Sequence, residues 1–406
     1  MKFKPLNIPR PVLILIIGGF IQSTGNSLMW PLNSLFMHTV LNRTLTEAGT
    51  LLALQSAVSL LGQILSGFLA DRYGPRKVMI VGLVGAVLFL GAMGILPIWG
   101  VYAPALILFG LAQAFIFVPL YTLLNAVWPE GGRRGFNLLY VSNNAGVAVG
   151  TAIGGFIAQA SFRFVFSLNA IAFLIYLILV LIGISERSAP THLLSPKQQP
   201  QQITKDKSFK VLLTLAGGIF LVWGAYVQLV TILPVVMTQY GFSLVSYSVL
   251  WTLNGIFIVT LQPLLTSVIE TWARSFKRQF YLGGLLLTIG FIILLGKFPY
   301  WTYVLAMLII TLGEMLILPA VPAAAAQISP PGKEGAYQGF VGGATSGGRM
   351  IGPFFGGIMY DFGGGSSVWL LAISFLGMSA IIFFIYGKAV QNFLLEKETK
   401  ELKIEC

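Results

Sequence analysis

Cysteine and histidine are nearly absent from this chain: among 406 residues there are one cysteine, Cys406, and two histidines, His38 and His192. One thiol cannot build a disulfide framework or a thiolate metal site, and two distant histidines offer too few ligands for zinc chemistry. No nucleophile with a base beside it stands out, and no G-x-x-x-x-G-K-[ST] loop is present to cradle a nucleotide. The inventory argues against an enzyme and against an ATP-driven pump, and no cofactor or metal is expected. Charge is scarce as well. Only 9% of residues are charged while 56% are hydrophobic, against roughly 25% charged in soluble domains, which leaves too little polar surface to cover a globule of this length. The composition is that of an integral membrane protein.

Windows of about 20 apolar residues predict spans near 11–37, 47–70, 78–98, 101–127, 137–160, 164–184, 211–238, 244–269, 280–297, 300–326, 338–360 and 367–389. These runs are too long for barrel strands, which need about 9–11 alternating residues. The expected fold is an all-α bundle of twelve transmembrane helices. The first span lacks a short apolar core followed by a small-residue cleavage site, so it reads as a retained helix.

Basic residues are placed unevenly. Lys2, Lys4 and Arg10 start a face that gathers Arg72, Arg76 and Lys77, Arg133 and Arg134, the stretch from Arg187 to Lys210, Arg274, Lys277 and Arg278, Lys333 and the Lys-rich tail. The opposite loops hold only Arg43, Arg163 and Lys297. By the positive-inside rule both termini are expected in the cytoplasm. The same rule accounts for the net charge of +12, so no nucleic-acid partner is needed to explain it.

Around 186–209 the hydrophobicity breaks into ERSAPTHLLSPKQQPQQITKDKS, a solvated linker by its Pro, Gln, Ser and Lys content. It divides a first six-helix half, 1–185, from a second, 210–390, with a tail at 391–406. The halves repeat at an offset near 200 residues: Gly132-Arg133-Arg134-Gly135 lies against Gly332-Lys333-Glu334-Gly335, and Gly146-x-x-x-Gly150-Thr151-x-x-Gly154-Gly155 against Gly348-x-x-x-Gly352-Pro353-x-x-Gly356-Gly357. Two parallel six-helix repeats explain this, and such repeats are expected to hold a substrate site at the bilayer midplane.

The loop after the second span reads Gly67-Phe-Leu-Ala-Asp71-Arg72-Tyr-Gly74-Pro-Arg76-Lys77. It resembles the G-x-x-x-D-R-x-G-x-R-[RK] signature of the major facilitator superfamily at its usual position. The counterpart in the second half lacks the acid and the glycines but keeps Arg274, Lys277 and Arg278. The resemblance implies a gating role for Asp71, Arg72 and Arg76, with the aspartate latching the cytoplasmic ends of the halves in one state. Independently of it, a carboxylate at a helix N-terminus gains about 0.3–1 kcal/mol from the macrodipole, a contact one conformation can make and another break. Topology and a tight turn at Gly74 account for the basic members but not for Asp71. The glycine-rich run of span eleven resembles the G-x-x-x-G-P-x-x-G-G motif that drug:proton antiporters carry in span five. Here span five has Thr151 in place of proline, and span four has Leu108-Phe-Gly110-Leu-Ala-Gln113 where such antiporters commonly place an arginine. Glycines four apart let helices approach closely, and Pro353 removes a backbone bond.

Two ionisable residues lie deep in apolar spans, Glu314 in span ten and Arg349 in span eleven, at nearly the same depth. An ionisable group there costs at least ~2.5–3.5 kcal/mol on insertion scales and marks a functional site by default. Thr311-Leu-Gly313-Glu314-Met-Leu-Ile-Leu-Pro319 resembles the G-E…P element in the tenth helix of bacterial facilitator-superfamily exporters, where the acid binds cationic drugs or carries a proton. Three arrangements stay open: an ion pair, a proton or cation site at Glu314 tuned by Arg349, or an anion site at Arg349 through its fork of donors. Gln22 and Asn26, Gln113, Asn143, Trp223, Tyr226 and Gln228, and Asn254 outline a cavity by their polarity inside spans, since amides in a bilayer are costly without partners. Interhelical hydrogen bonding explains any one of them equally well. Together these features point to a proton-coupled transporter working by alternating access. Efflux of small amphipathic, cationic compounds is the leading expectation, with a sugar or organic-anion carrier using Arg349 as the alternative and a non-transporting receptor or scaffold as the alternative of another class. Its expected partners are a small-molecule substrate, protons and the lipid bilayer; the resemblance implies a monomer in the plasma membrane.

Overall fold

A computed structural model of the chain describes residues 8–29, 33, 36–37, 40–43, 45–185, 207–296 and 299–405. Most of the linker read at 186–209 lies outside the described residues, as do His38, His192, Lys297 and Cys406. Among the described residues every regular element is helical. Contacts divide the chain into two compact units, Met1–Leu193 and Leu194–Cys406.

The first unit holds α1 (Arg10–Met29), α2 (Leu45–Tyr73), α3 (Pro75–Ile95), α4 (Trp99–Val127), α5 (Arg133–Ala160) and α6 (Phe162–Gly183). The turn between α2 and α3 is built by Gly74, whose φ of 91° suits a residue without Cβ, and by Pro75, which opens α3 where its missing N–H is no loss. Arginines satisfy helix C-termini. Arg76 donates to the Leu181 carbonyl near the end of α6 at 3.3 Å, and Arg163 donates to Ile95 at the end of α3 at 2.7 Å, a placement the macrodipole also favours. One end of the unit is packed with rings, Phe36, Tyr102 and Phe166 lying 5.0–5.8 Å apart, with the Tyr102 hydroxyl donating to Asn33 at 3.1 Å.

The second unit begins with α7 (Lys207–Tyr226), α8 (Gln228–Thr231) and α9 (Leu233–Gln239), where a single span over 211–238 was expected. Pro234 carries no N–H for the Val230 carbonyl, and the Tyr247 hydroxyl donates there instead, at 3.3 Å to both Leu229 and Val230. Then follow α10 (Leu244–Thr271), α11 (Phe276–Ile293), α12 (Tyr300–Ile317) and α13 (Ala320–Ile328). The break between α12 and α13 falls at Leu318–Pro319. The last element, α14 (Glu334–Glu405), runs through the two spans expected at 338–360 and 367–389 and is interrupted only at Gly363 and Gly364. Where the first unit turns on Gly74, the equivalent turn between α10 and α11 has no glycine. It is held by Ser275, which caps Arg278 N at 3.4 Å, by the Arg278 guanidinium on Trp272 at 3.1 Å and by Gln279 on Ala273 at 2.7 Å.

The internal repeat is visible in the backbone. Gly132 and Gly332 both have positive φ, 45° and 80°, and each opens the segment leading into its glycine-rich helix. On α5, Gly146 and Gly150 lie against Phe20 and Thr24 of α1; on α14, Gly348 and Gly352 lie against Phe220 and Gly224 of α7. A Cβ on Gly146 would meet the Phe20 carbonyl at 2.5 Å, and one on Gly352 would meet the Gly224 carbonyl at 2.9 Å. The two helix pairs therefore cross backbone to backbone, and only glycine fits the seam. By contrast, a Cβ on Gly357 meets nothing within 4 Å. Overpacking a tight seam costs about 1–3 kcal/mol. Gly352→Ala is thus expected to lower the thermal transition of the purified protein, while Gly357→Ala leaves it near wild type; equal effects would contradict the seam.

Candidate functional site

Glu314 lies in the last turn of α12 and is 5% exposed. Its Oε2 accepts from the Tyr226 hydroxyl at 2.8 Å and from Asn254 Nδ2 at 3.0 Å. Asn254 also donates to Thr311 Oγ1 at 2.9 Å, and Thr311 donates to the Met307 carbonyl at 2.7 Å. Three elements meet here, the C-terminus of α7 with Tyr226, the middle of α10 with Asn254 and the end of α12 with Thr311 and Glu314. Thr311 and Glu314, three residues apart on a helix, fall on the same side. Asn254 has one amide with two acceptors, which fixes its orientation. Both bonds to Glu314 land on one oxygen, so they hold whether or not the other carries a proton.

Rings cluster around Tyr226, whose hydroxyl is the donor to the carboxylate. Tyr226 makes edge contacts with Trp223 at 5.2 Å and Trp251 at 6.2 Å, and Trp251 in turn with Tyr247 at 6.5 Å. The Arg349 guanidinium carbon lies 3.6 Å from the centroid of Trp223, flat-on stacking distance. Arg349 is exposed and within electrostatic reach of Tyr226. Glu314, Tyr226, Trp223 and Arg349 thus form one continuous line of contacts from a buried acid to an exposed cation. Pro353 removes the i+4 donor of the Arg349 carbonyl, next to the seam glycines Gly348 and Gly352.

The residues singled out by polarity sort into separate places. In the first unit Gln113 of α4 donates to Asn26 of α1 at 2.8 Å. These two stand about 200 residues before Glu314 and Tyr226, so the two repeats make the same contact, neutral in one and acidic in the other. Gln22 is buried on α1. Asn143 of α5 sits against Gly19, its Oδ1 without a hydrogen-bond partner. Gln228 belongs to the packing seam, donating to Gly224 at 3.0 Å and to Gly352 at 2.7 Å beside Gly356. The loop motif lies in the first unit: Gly67 and Asp71 on α2, with Arg72 over the Tyr73 ring at 5.3 Å, then Gly74, and Arg76 and Lys77 in the first turn of α3. Thr311 went unnoticed in the sequence as a site residue, although its spacing from Glu314 was the available signal. Among the described residues no group of three or more His, Cys, Asp or Glu is placed to hold a metal.

The sequence profile of the Major Facilitator Superfamily matches residues 15–317 and 270–403. YttB of Bacillus subtilis (strain 168), described as an MFS-type transporter, is 39% identical over 394 residues, 97% of this chain and 98% of its own. The multidrug resistance protein MdtH of Salmonella arizonae is 24% identical over 86% of each chain. Among solved structures the human organic anion transporter MFSD10 gives a TM-score of 0.74 over 92% of this chain and 99% of its own, at 16% identity. A POT family transporter in complex with a thioalcohol-conjugated peptide gives 0.75 over 95% and 98%, also at 16% identity. Those structural likenesses establish the fold alone.

A hydrogen bond to a charged group contributes about 1.5–3 kcal/mol. Tyr226→Phe and Glu314→Gln are expected to couple: each lowers the thermal transition, and the double variant lowers it by clearly less than the sum. Additive shifts would mean that the hydroxyl and the carboxylate do not support each other.

Proposed function

The chain belongs to the major facilitator superfamily, and from that premise we propose that it is a proton-coupled secondary transporter exporting small amphipathic cations by alternating access. The observation that carries this reading is the buried Glu314, held by Asn254 and by Tyr226, on which Trp223 and Trp251 pack. A carboxylate joined to an aromatic cluster is chemistry that suits an organic cation, and a carboxyl group whose bonds survive protonation suits exchange of a proton for that cation. Distant similarity to the multidrug resistance protein MdtH agrees with it.

Ten described helices are long and apolar enough to cross a membrane. We count α5 with them, and α14 twice across Gly363–Gly364, which gives twelve spans; the basic loops then put both termini in the cytoplasm of a plasma-membrane protein. In this reading Asp71, Arg72 and Arg76 serve the gate, the glycines of α14 serve packing, and a monomer suffices.

One observation favours a second reading. Arg349 is exposed while Glu314 is buried, so an organic anion would meet the guanidinium first. Inverted vesicles under an imposed proton gradient separate the two. A lipophilic cationic dye is expected to accumulate with the wild type and at least tenfold less with Glu314→Gln. Indifference of the wild type to the dye, together with uptake of an organic anion that Arg349→Ala abolishes, would replace the cation reading by the anion one.

A further inference from the structure

The second unit carries a groove of about 470 Å³ far along α14 from Arg349, lined by Lys277 and Tyr281 of α11 and by Ala380, Ile381 and Phe384 of α14. Beside its lining residues in the chain, Phe280 stacks on Phe383 with centroids 4.4 Å apart and meets Tyr386 edge-on at 5.7 Å, packing α11 against α14. Its walls are apolar and outward-facing, Ile381 being 63% and Phe384 45% exposed, surface that a membrane protein presents to acyl chains. Its rim is cationic. The ammonium groups of Lys277 and Lys388 lie 5.8 and 4.5 Å from the centroid of the same ring, Phe384. Lys388 is the first charged residue after the apolar run that starts at Val368, and Lys277 stands in the first turn of α11; both therefore mark one edge of the apolar layer. The Lys277 stem lies over Gly387, where a Cβ would meet its Cδ at 2.6 Å, which holds the ammonium toward the rim. Among the described residues neither lysine forms an ion pair, and no acidic side chain lines the groove.

Two like charges sharing one ring above an apolar slot call for an anion with a hydrocarbon tail. We propose that this groove binds an anionic phospholipid of the surrounding bilayer. The headgroup phosphate lies between Lys277 and Lys388, and an acyl chain follows Ala380, Ile381 and Phe384. Basic pockets between membrane helices hold anionic headgroups by this combination, each lysine being worth about a fivefold change in retention. The proposal is independent of what the protein transports.

Native mass spectrometry of the full chain in detergent, titrated separately with phosphatidylglycerol, phosphatidylcholine and inorganic phosphate, tests it. Phosphatidylglycerol is expected to form a one-to-one adduct at least fivefold more abundant than phosphatidylcholine, with no adduct from phosphate alone. Lys277→Gln combined with Lys388→Gln should reduce that adduct by about an order of magnitude or more, and Lys277→Arg with Lys388→Arg should preserve it, as should the control Arg10→Gln. Ile381→Trp fills the slot at an outward-facing position without touching the charges, and it should also reduce the adduct. Equal adducts from the two lipids would overturn the proposal, as would an unchanged phosphatidylglycerol adduct in both the glutamine pair and Ile381→Trp.

Discussion

A carboxyl group inside an apolar bundle has no water to turn to, so the side chains around it decide what it can do. At Glu314 that neighbourhood is supplied by three separate elements, and each gives up apolar contact to provide it. Tyr226 ends α7, Asn254 interrupts α10 and Thr311 precedes the acid by one turn on α12. An unpaired buried polar group costs about 1–3 kcal/mol, and more when charged. The positions of these helices relative to one another are therefore tied to the state of one side chain. A break lies close by in the chain: the Val230 carbonyl, left without a donor by Pro234, accepts from Tyr247.

The second organising constraint is the glycine seam. Gly348 and Gly352 bring α14 against α7 closely enough for Gln228 to reach across to the Gly352 carbonyl. The same approach sets Arg349, next to Gly348 in the chain, over Trp223. Packing and site are thus consecutive residues of one helix. The first repeat makes the same crossing with Gly146 and Gly150, and it leads to the neutral pair Gln113 and Asn26. A duplicated scaffold carrying an acid in one copy and amides in the other is a simple way to obtain one ionisable site from two similar halves.

Much of this is legible from residue types, for physical reasons. Composition alone demands a membrane, a lone acid among apolar residues announces itself, and glycines spaced by four predict a close crossing. Which amides join the acid is not legible. Tyr226 and Gln228 look alike in a linear reading, but across the break at Val227 one reaches Glu314 and the other the seam. The break within span seven depends on which partner replaces the bond lost at Pro234, and that partner, Tyr247, comes from another helix. The glycine run near Gly363 reads as a loop between two spans, while in the structure helical geometry continues through it except at Gly363 and Gly364.

The central claim is that Glu314 exchanges a proton for substrate. Its most direct test is the proton balance of binding: tetraphenylphosphonium added to purified protein in weakly buffered detergent solution, with bound ligand and released protons counted together across the pH range in which transport operates. The account predicts proton release that accompanies binding in the wild type and is absent in Glu314→Gln. Tight binding with no proton release at any pH in that range, or release unchanged in Glu314→Gln, would contradict it.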